Sequence, residues 1–368
     1  MKFSLNRDSF AKVLKRIDSV CSKSGPFVIM ASCMIEAKNN TITVTGMDVS
    51  VTIRVVEPAS VIEEGVIVIN SNRLLNAVNG LPSGADVCLS SEGTQLLIKC
   101  GNFRATTPLG DIAEFPSVPA FEISHTLAMS AAEFKKLIDE TYFSISNDDT
   151  RVDFTGAFMT ISKSGQIQLV STDGHRLSRA ESTINITGDF PSAFETGIII
   201  PRKGLAEITK NLGEGDIQLD LQSSKLFVSA DSIVFHINLI AGTFPDFSKV
   251  IPSGFEHHAI VGRETFLQLL RPAPTFTAKS GTVKLSLSHN KLGISTTDSK
   301  SGGMEDYIEA EYEGSGVEAG FNWRYIVEIL NVIQSEKVSI DITDTDSPAL
   351  IRDITTDKMD FVVMPMQI

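Results

Sequence analysis

Only four cysteines stand in 368 residues, all in the first third of the chain, and none forms a C-x-x-C pair. That scarcity argues against a disulfide scaffold or a zinc site, and leaves Cys21, Cys33, Cys88 and Cys100 as ordinary thiols. No apolar run approaches the ~20 residues that span a bilayer. The opening MKFSLNRDSF has no apolar signal core followed by a cleavage site, so a cytoplasmic protein without membrane contact is expected. The phosphate-cradling GxxxxGK[ST], the dinucleotide GxGxxG, the zinc-binding HExxH and the nucleophile-bearing GxSxG are all missing. The pair His257-His258 has no evident third ligand, and no metal or cofactor is expected. Glu63-Glu64 and Asp148-Asp149 sit in turn-like contexts, not in the buried ones that acid–base work needs. Positive charge is short as well: 32 Lys and Arg against 45 Asp and Glu give a net −13. Taken alone, that speaks against nucleic acid as a partner.

What the chain does have is repetition. Short alternating runs such as NTITVTGMDVSVTIRVV (40–56), GQIQLVSTD (165–173) and KVSIDITD (337–344) read as antiparallel strands. Apolar residues at helical spacing mark 7–20, 130–142 and 263–271, with Phe10, Phe134 and Phe266 at matching places. Strands ending in Asp48, Asp173 and Asp298 recur at intervals of 125 residues. A second helix follows in each unit, within 68–82, 199–213 and 320–334, and each unit closes near EFPSV, TFPDF or FVVMP. Five landmarks in one order predict three copies of an α+β unit, each two helices packed on curved antiparallel sheets. Boundaries are expected at 1–122, 126–252 and 257–368, with linker-like PAFEISH (119–125) and PSGFEHH (252–258) between them. The six helical windows carry a net +4, which leaves −17 for the remainder. Helices lining one surface could therefore face a polyanion.

The stretch STDGHRLSRA (171–180) places Asp-Gly between two alternating runs, a two-residue hairpin signal. The matching positions, Asp48-Val49-Ser50 and Asp298-Ser299-Lys300, have no Gly, His or Arg, so the fold passes this point without them and the middle copy is specialised. The ending FVVMPMQI combines a last strand with two Met residues, whose flexible side chains suit adaptable contacts.

T-D-G-H-R-L (172–177), I-P-R-K-G (200–204), F-P-D-F (244–247) and V-V-M-P-M (362–366), with the M-K-F start and G-L-P-S-G (80–84), resemble the bacterial sliding clamp family, the beta subunit of DNA polymerase III. The resemblance covers the whole chain. It implies a DNA clamp ring, a head-to-tail homodimer whose helices surround duplex DNA topologically and without sequence preference. It implies as partners the DNA polymerase III catalytic subunit, the clamp loader, and other polymerases and repair proteins. Carried over residue by residue, the family's peptide pocket comprises Phe154, Thr172, Gly174, His175, Arg176, Leu177, Pro245 and Val250. Its other wall is Val362, Val363, Met364, Pro365 and Met366. Under this reading Lys12, Arg73, Arg151, Lys203 and Lys210 are the expected DNA-facing charges. Two departures stand out: Gln367 replaces the family's basic residue, and the ring-closing edge carries Ala105, Thr107, Pro274 and Thr275 in place of larger apolar residues. The alternative is an enzyme using His175 as base oriented by Asp173, which lacks a nucleophile, metal set or cofactor loop. A repeat adhesion protein conflicts with the missing secretion signal.

Overall fold

The computed structural model describes residues 1–21, 28–118, 126–188, 190–277, 279–298 and 302–367. The expected linker at 119–125, Ser299 and Lys300 of the third turn, and Ile368 lie outside the described residues. The chain divides into two compact units. One comprises 1–132, 185–191 and 203–239; the other comprises 133–184, 192–202 and 240–368.

The first unit holds a five-stranded and a nine-stranded sheet among its described residues, and the second a twelve-stranded sheet. All strand pairings among the described residues are antiparallel, as the alternating patterns require. In the nine-stranded sheet Val51–Pro58 pairs with Ile233–Asn238; in the twelve-stranded sheet Arg176–Thr183 pairs with Met359–Val363. The middle repeat thus contributes strands to both units.

The six expected helices are Arg7–Val20, Ser71–Asn79, Ala131–Tyr142, Arg202–Asn211, Arg263–Leu270 and Trp323–Val332. Their apolar faces are buried. Phe10, Phe134 and Phe266, the landmarks of the three first helices, are 0, 1 and 0% exposed. Asn6, Asn70 and Asn322 cap three helix starts, each side chain accepting from backbone N–H groups of the first turn, worth about 1 kcal/mol apiece. The repetition extends to backbone detail. Three isolated bridges, Val68 to Gly110, Ile199 to Ile240 and Gly320 to Met366, tie each unit's last segment to the strand before its second helix. His257 and His258 open the strand His257–Gly262 and do not belong to a loose linker.

Candidate functional site

The turn after Asp173 is longer than a two-residue hairpin. The last ladder pair is Thr172 with Leu177, and four residues lie between. Side chains replace the missing ladder bonds. Asp173 Oδ1 accepts from the N–H groups of His175 at 2.9 Å and Arg176 at 3.1 Å. Thr172 Oγ1 accepts from Gly174 N–H at 3.0 Å and donates to the Arg176 carbonyl at 2.6 Å. Asp48 frames the first repeat's turn likewise, accepting from Ser50 and Val51 N–H at 2.8 Å each. The aspartate is common architecture; Gly174, His175 and Arg176 are what the middle copy adds.

Gly174 has φ +89°, and a Cβ there would lie 2.5 Å from an Arg151 guanidinium nitrogen. That guanidinium sits 3.9 Å over the Phe154 ring. Arg151, expected to face DNA, therefore packs between Phe154 and the turn. Arg176, expected at the rim beside His175, is only 8% exposed. Its Nε donates to Asp173 at 3.0 Å, Nη1 to Glu328, and Nη2 to the Phe143 carbonyl at 2.5 Å. The rings of Tyr325 and Phe143 stand 4.4 and 5.3 Å from it. The turn is thereby bolted to the Trp323–Val332 helix, while His175 remains exposed.

Above the turn lies an apolar cluster: Phe154, Val170, Leu177, Ile199, Phe244, Leu350 and Val362, all buried. Phe158 and Phe247 pack against it, Phe158 stacked on Phe244 at 5.0 Å. Leu177, Val362 and Leu350 are direct partners on three adjacent strands and form a row on one sheet face. Thr172 continues that row as the partner of Leu177. Pro245 and Val250 are exposed beside the cluster. Val363 turns to the opposite face by strand alternation and is fully buried. Met364, Pro365 and Met366 are half-buried. This tail is pinned at two points: Met364 N–H donates to the His175 carbonyl at 2.9 Å and Met366 N–H to that of Gly320 at 2.8 Å. Sequence reasoning missed Val170, Ile199, Leu350, Phe158, Phe244 and Phe247. The signal of Val170, Ile199, Leu350 and Phe158 was apolar alternation on strands whose pairing register was unknown; Phe244 and Phe247 lie off the strands, in the F-P-D-F motif.

The first repeat provides a comparison. Counting from each turn aspartate, Leu177 corresponds to Thr52. Thr52 pairs with His236, and His236 with Phe227. The row Leu177–Val362–Leu350 is thus replaced by Thr52–His236–Phe227. His236 is 4% exposed, and burial, with Lys225 and Arg54 adding, lowers its pKa to about 4. Beside this turn Lys203 is ion-paired with Asp48, so its charge is already matched. Lys12, Arg73 and Lys210 are exposed on their helices.

No group of three or more His, Cys, Asp or Glu among the described residues is placed to hold a metal. His257 Nδ1 is bonded to the Tyr312 hydroxyl at 2.5 Å, and His258 to Asp341. The thiols are free; burial pushes Cys21 up to about 11 and Cys33 well above its usual value. Asp173 engages both carboxylate oxygens with the backbone and Arg176, so it is not spent on orienting an imidazole. No helix among the described residues is long and apolar enough to cross a membrane.

A three-fold repeat of paired helices on antiparallel sheet, with one repeat's turn elaborated beside an apolar cluster, is the architecture of a DNA sliding clamp. The Pseudomonas aeruginosa DNA polymerase III beta subunit superposes over the whole of both chains with TM-score 0.94 at 26% identity. The Bartonella birtlesii sliding clamp, solved bound to griselimycin, does so with TM-score 0.93 at 29% identity. The beta sliding clamp of Escherichia coli K12 is 28% identical over the full length of both chains. Residues 1–119, 128–246 and 248–367 match the N-terminal, central and C-terminal domain models of the DNA polymerase III beta subunit. The chain belongs to that family and is a sliding clamp of DNA replication.

Proposed function

We propose that two copies of this chain close head-to-tail into a ring around duplex DNA, and that the cleft docks short apolar segments of its partners. Those partners are the DNA polymerase III catalytic subunit, the clamp loader, and other polymerases and repair proteins. The chain carries out no catalysis and needs no cofactor. It acts in the cytoplasm, where the bacterial chromosome is copied, and its three domains run 1–122, 126–252 and 257–368. The observation that carries the docking reading is the row Leu177–Val362–Leu350, apolar throughout here, where the first repeat's counterpart has Thr52 and His236 beside Phe227. Phe154, Thr172, Gly174, His175, Pro245 and Val250 border it; Met364, Pro365 and Met366 form its other wall. Arg176 and Val363 support it from behind.

Two open strand edges support ring closure. Phe103–Pro108 ends the five-stranded sheet. Gly302–Glu311 meets the His257–Gly262 strand only at Ala310 and Glu311, so most of one side has no ladder partner among the described residues. Ala105 is half-buried, Thr107 is buried, and Pro274 and Thr275 are exposed. Little large apolar surface is on offer at these four positions, so closure draws on backbone pairing and on the exposed Phe103 and Tyr307 of the two edges. Fluorescence-polarisation titration with a ten-residue apolar segment of the host's polymerase III catalytic subunit tests the docking. Leu177→Ser should weaken binding at least tenfold; unchanged affinity would remove the cleft from the reading.

A further inference from the structure

The row that floors the cleft has an ionic neighbour on the same sheet face. Two residues along each strand from Leu177, Val362 and Leu350 stand Arg179, Asp360 and Arg352, about 7 Å away by strand geometry. Arg179 places a guanidinium nitrogen 2.6 Å from one oxygen of Asp360, and Arg352 places Nε 2.7 Å from the other. Arg179 also reaches Glu181 at 3.2 Å, and Arg352 reaches Asp341 at 3.8 Å. The Asp360 and Asp341 carboxylates are 4% exposed, whereas the two arginine side chains are 24 and 36% exposed. A ligand arriving on this face therefore meets guanidinium, with much of the balancing charge beneath. The two arginines line a shallow bay of about 740 Å³ with Ile354, Thr355 and Thr356; exposed Asp357 also borders it.

The first repeat again supplies the comparison. The residues standing where Arg179, Asp360 and Arg352 stand are Arg54, Val234 and Ser229. A sheet of this kind therefore forms without the ionic trio. Two guanidiniums converge on Asp360, with Glu181 and Asp341 as their further partners.

We propose that this bay extends the docking cleft and receives an acidic side chain flanking the apolar anchor of the docked segment. The inference rests on the docking reading above. An extended peptide lying along the strands advances two residues over the distance between the rows. The acidic residue then falls two positions from the anchor. A planar guanidinium fork suits a carboxylate better than a point charge does.

The test uses the full-length wild-type protein, so no variant needs to fold for it to be decisive. The polymerase segment is synthesised with Glu, Gln or Lys two positions to either side of its apolar anchor, and each version is titrated by fluorescence polarisation. At 50 mM salt one Glu version should bind about five- to tenfold more tightly than its Gln counterpart, and the Lys version more weakly. The preference should shrink at 500 mM salt. Arg352→Gln should erase the Glu preference without changing the affinity of the Gln peptide, and Arg352→Lys should keep part of it. Equal affinity of the Glu and Gln peptides for the wild type would overturn the proposal, as would a Glu preference that survives Arg352→Gln. Failure of every version to bind would instead overturn the docking reading, and the bay with it.

Discussion

At the scale of single residues, the site depends on a few side chains whose roles differ from their first appearance. Asp173 reads as a candidate acid–base group, yet Asp48 frames a turn with the same hydrogen bonds and no histidine beside it. Gly174 is tied to its position by φ +89° and by the Arg151 guanidinium pressed against it. Gly174→Ala should cost about 1–2 kcal/mol in urea unfolding, from the left-handed backbone alone. Arg176→Ala should cost more, about 2–3 kcal/mol, because Asp173 and the Phe143 carbonyl lose their donor in a buried setting. Arg176→Lys should recover only part, since one ammonium cannot serve three acceptors in that geometry. His175→Ala, at an exposed side chain, should stay within about 0.5 kcal/mol. A turn at Asp-Gly was legible in the sequence, but not its four-residue length. The inward course of Arg176 was not, because Tyr325 and Glu328 lie some 150 residues away.

At the scale of elements, the helices were legible almost to the residue, since each buries an apolar stripe that its own spacing announces. The cleft was half legible. Its turn and tail carry distinctive residues, whereas Val170, Ile199 and Leu350 join only through strand register, which a single sequence does not reveal. One helix carries a buried charge with a measurable consequence. Glu140 on Ala131–Tyr142 is 5% exposed and borders a cavity of about 500 Å³ with Glu133, Lys136, Glu181, Asp353 and Lys358. Burial raises its pKa from 4.5 to about 7, with Lys136 at 3.6 Å pulling the other way. Burial also disfavours ionisation of Asp353, but hydrogen bonds from Thr355 and Ser335 outweigh it and hold that carboxyl below its usual value. For Glu140 the folded state holds the proton more tightly than the unfolded chain. Its contribution should therefore reduce stability as pH rises from about 4.5 to 7, by on the order of 3 kcal/mol, and then level off. Glu140→Gln should flatten that slope in urea unfolding measured between pH 5 and 8. An unchanged slope would show that the carboxylate gains solvent or a partner on ionising.

At the scale of the whole molecule, repetition was the strongest message of the sequence, and it survives in the bridges at Gly110, Ile240 and Met366. Two predictions belong here. Light scattering at micromolar concentration should give the mass of two chains; a monomer throughout would count against head-to-tail closure. Once loaded on nicked circular DNA, the protein should persist at high salt and be lost when the circle is cut, because a net charge of −13 gives little direct affinity. Equal loss from both would refute topological retention.

The pairing of Arg176–Thr183 with Met359–Val363 joins positions about 180 residues apart, and this has a consequence for the chain as it is made. The first unit closes with residue 239 and can fold while synthesis continues, since domains fold in order as they leave the ribosome. The cleft floor cannot, because Leu177 waits for Val362, a strand partner about 180 residues further along. A chain not yet made through that strand would present Leu177 paired with Thr172 on one side and with no strand on the other. Polymerases searching for a clamp would therefore pass over copies lacking that strand, and docking would report that the chain had been made at least through Val363.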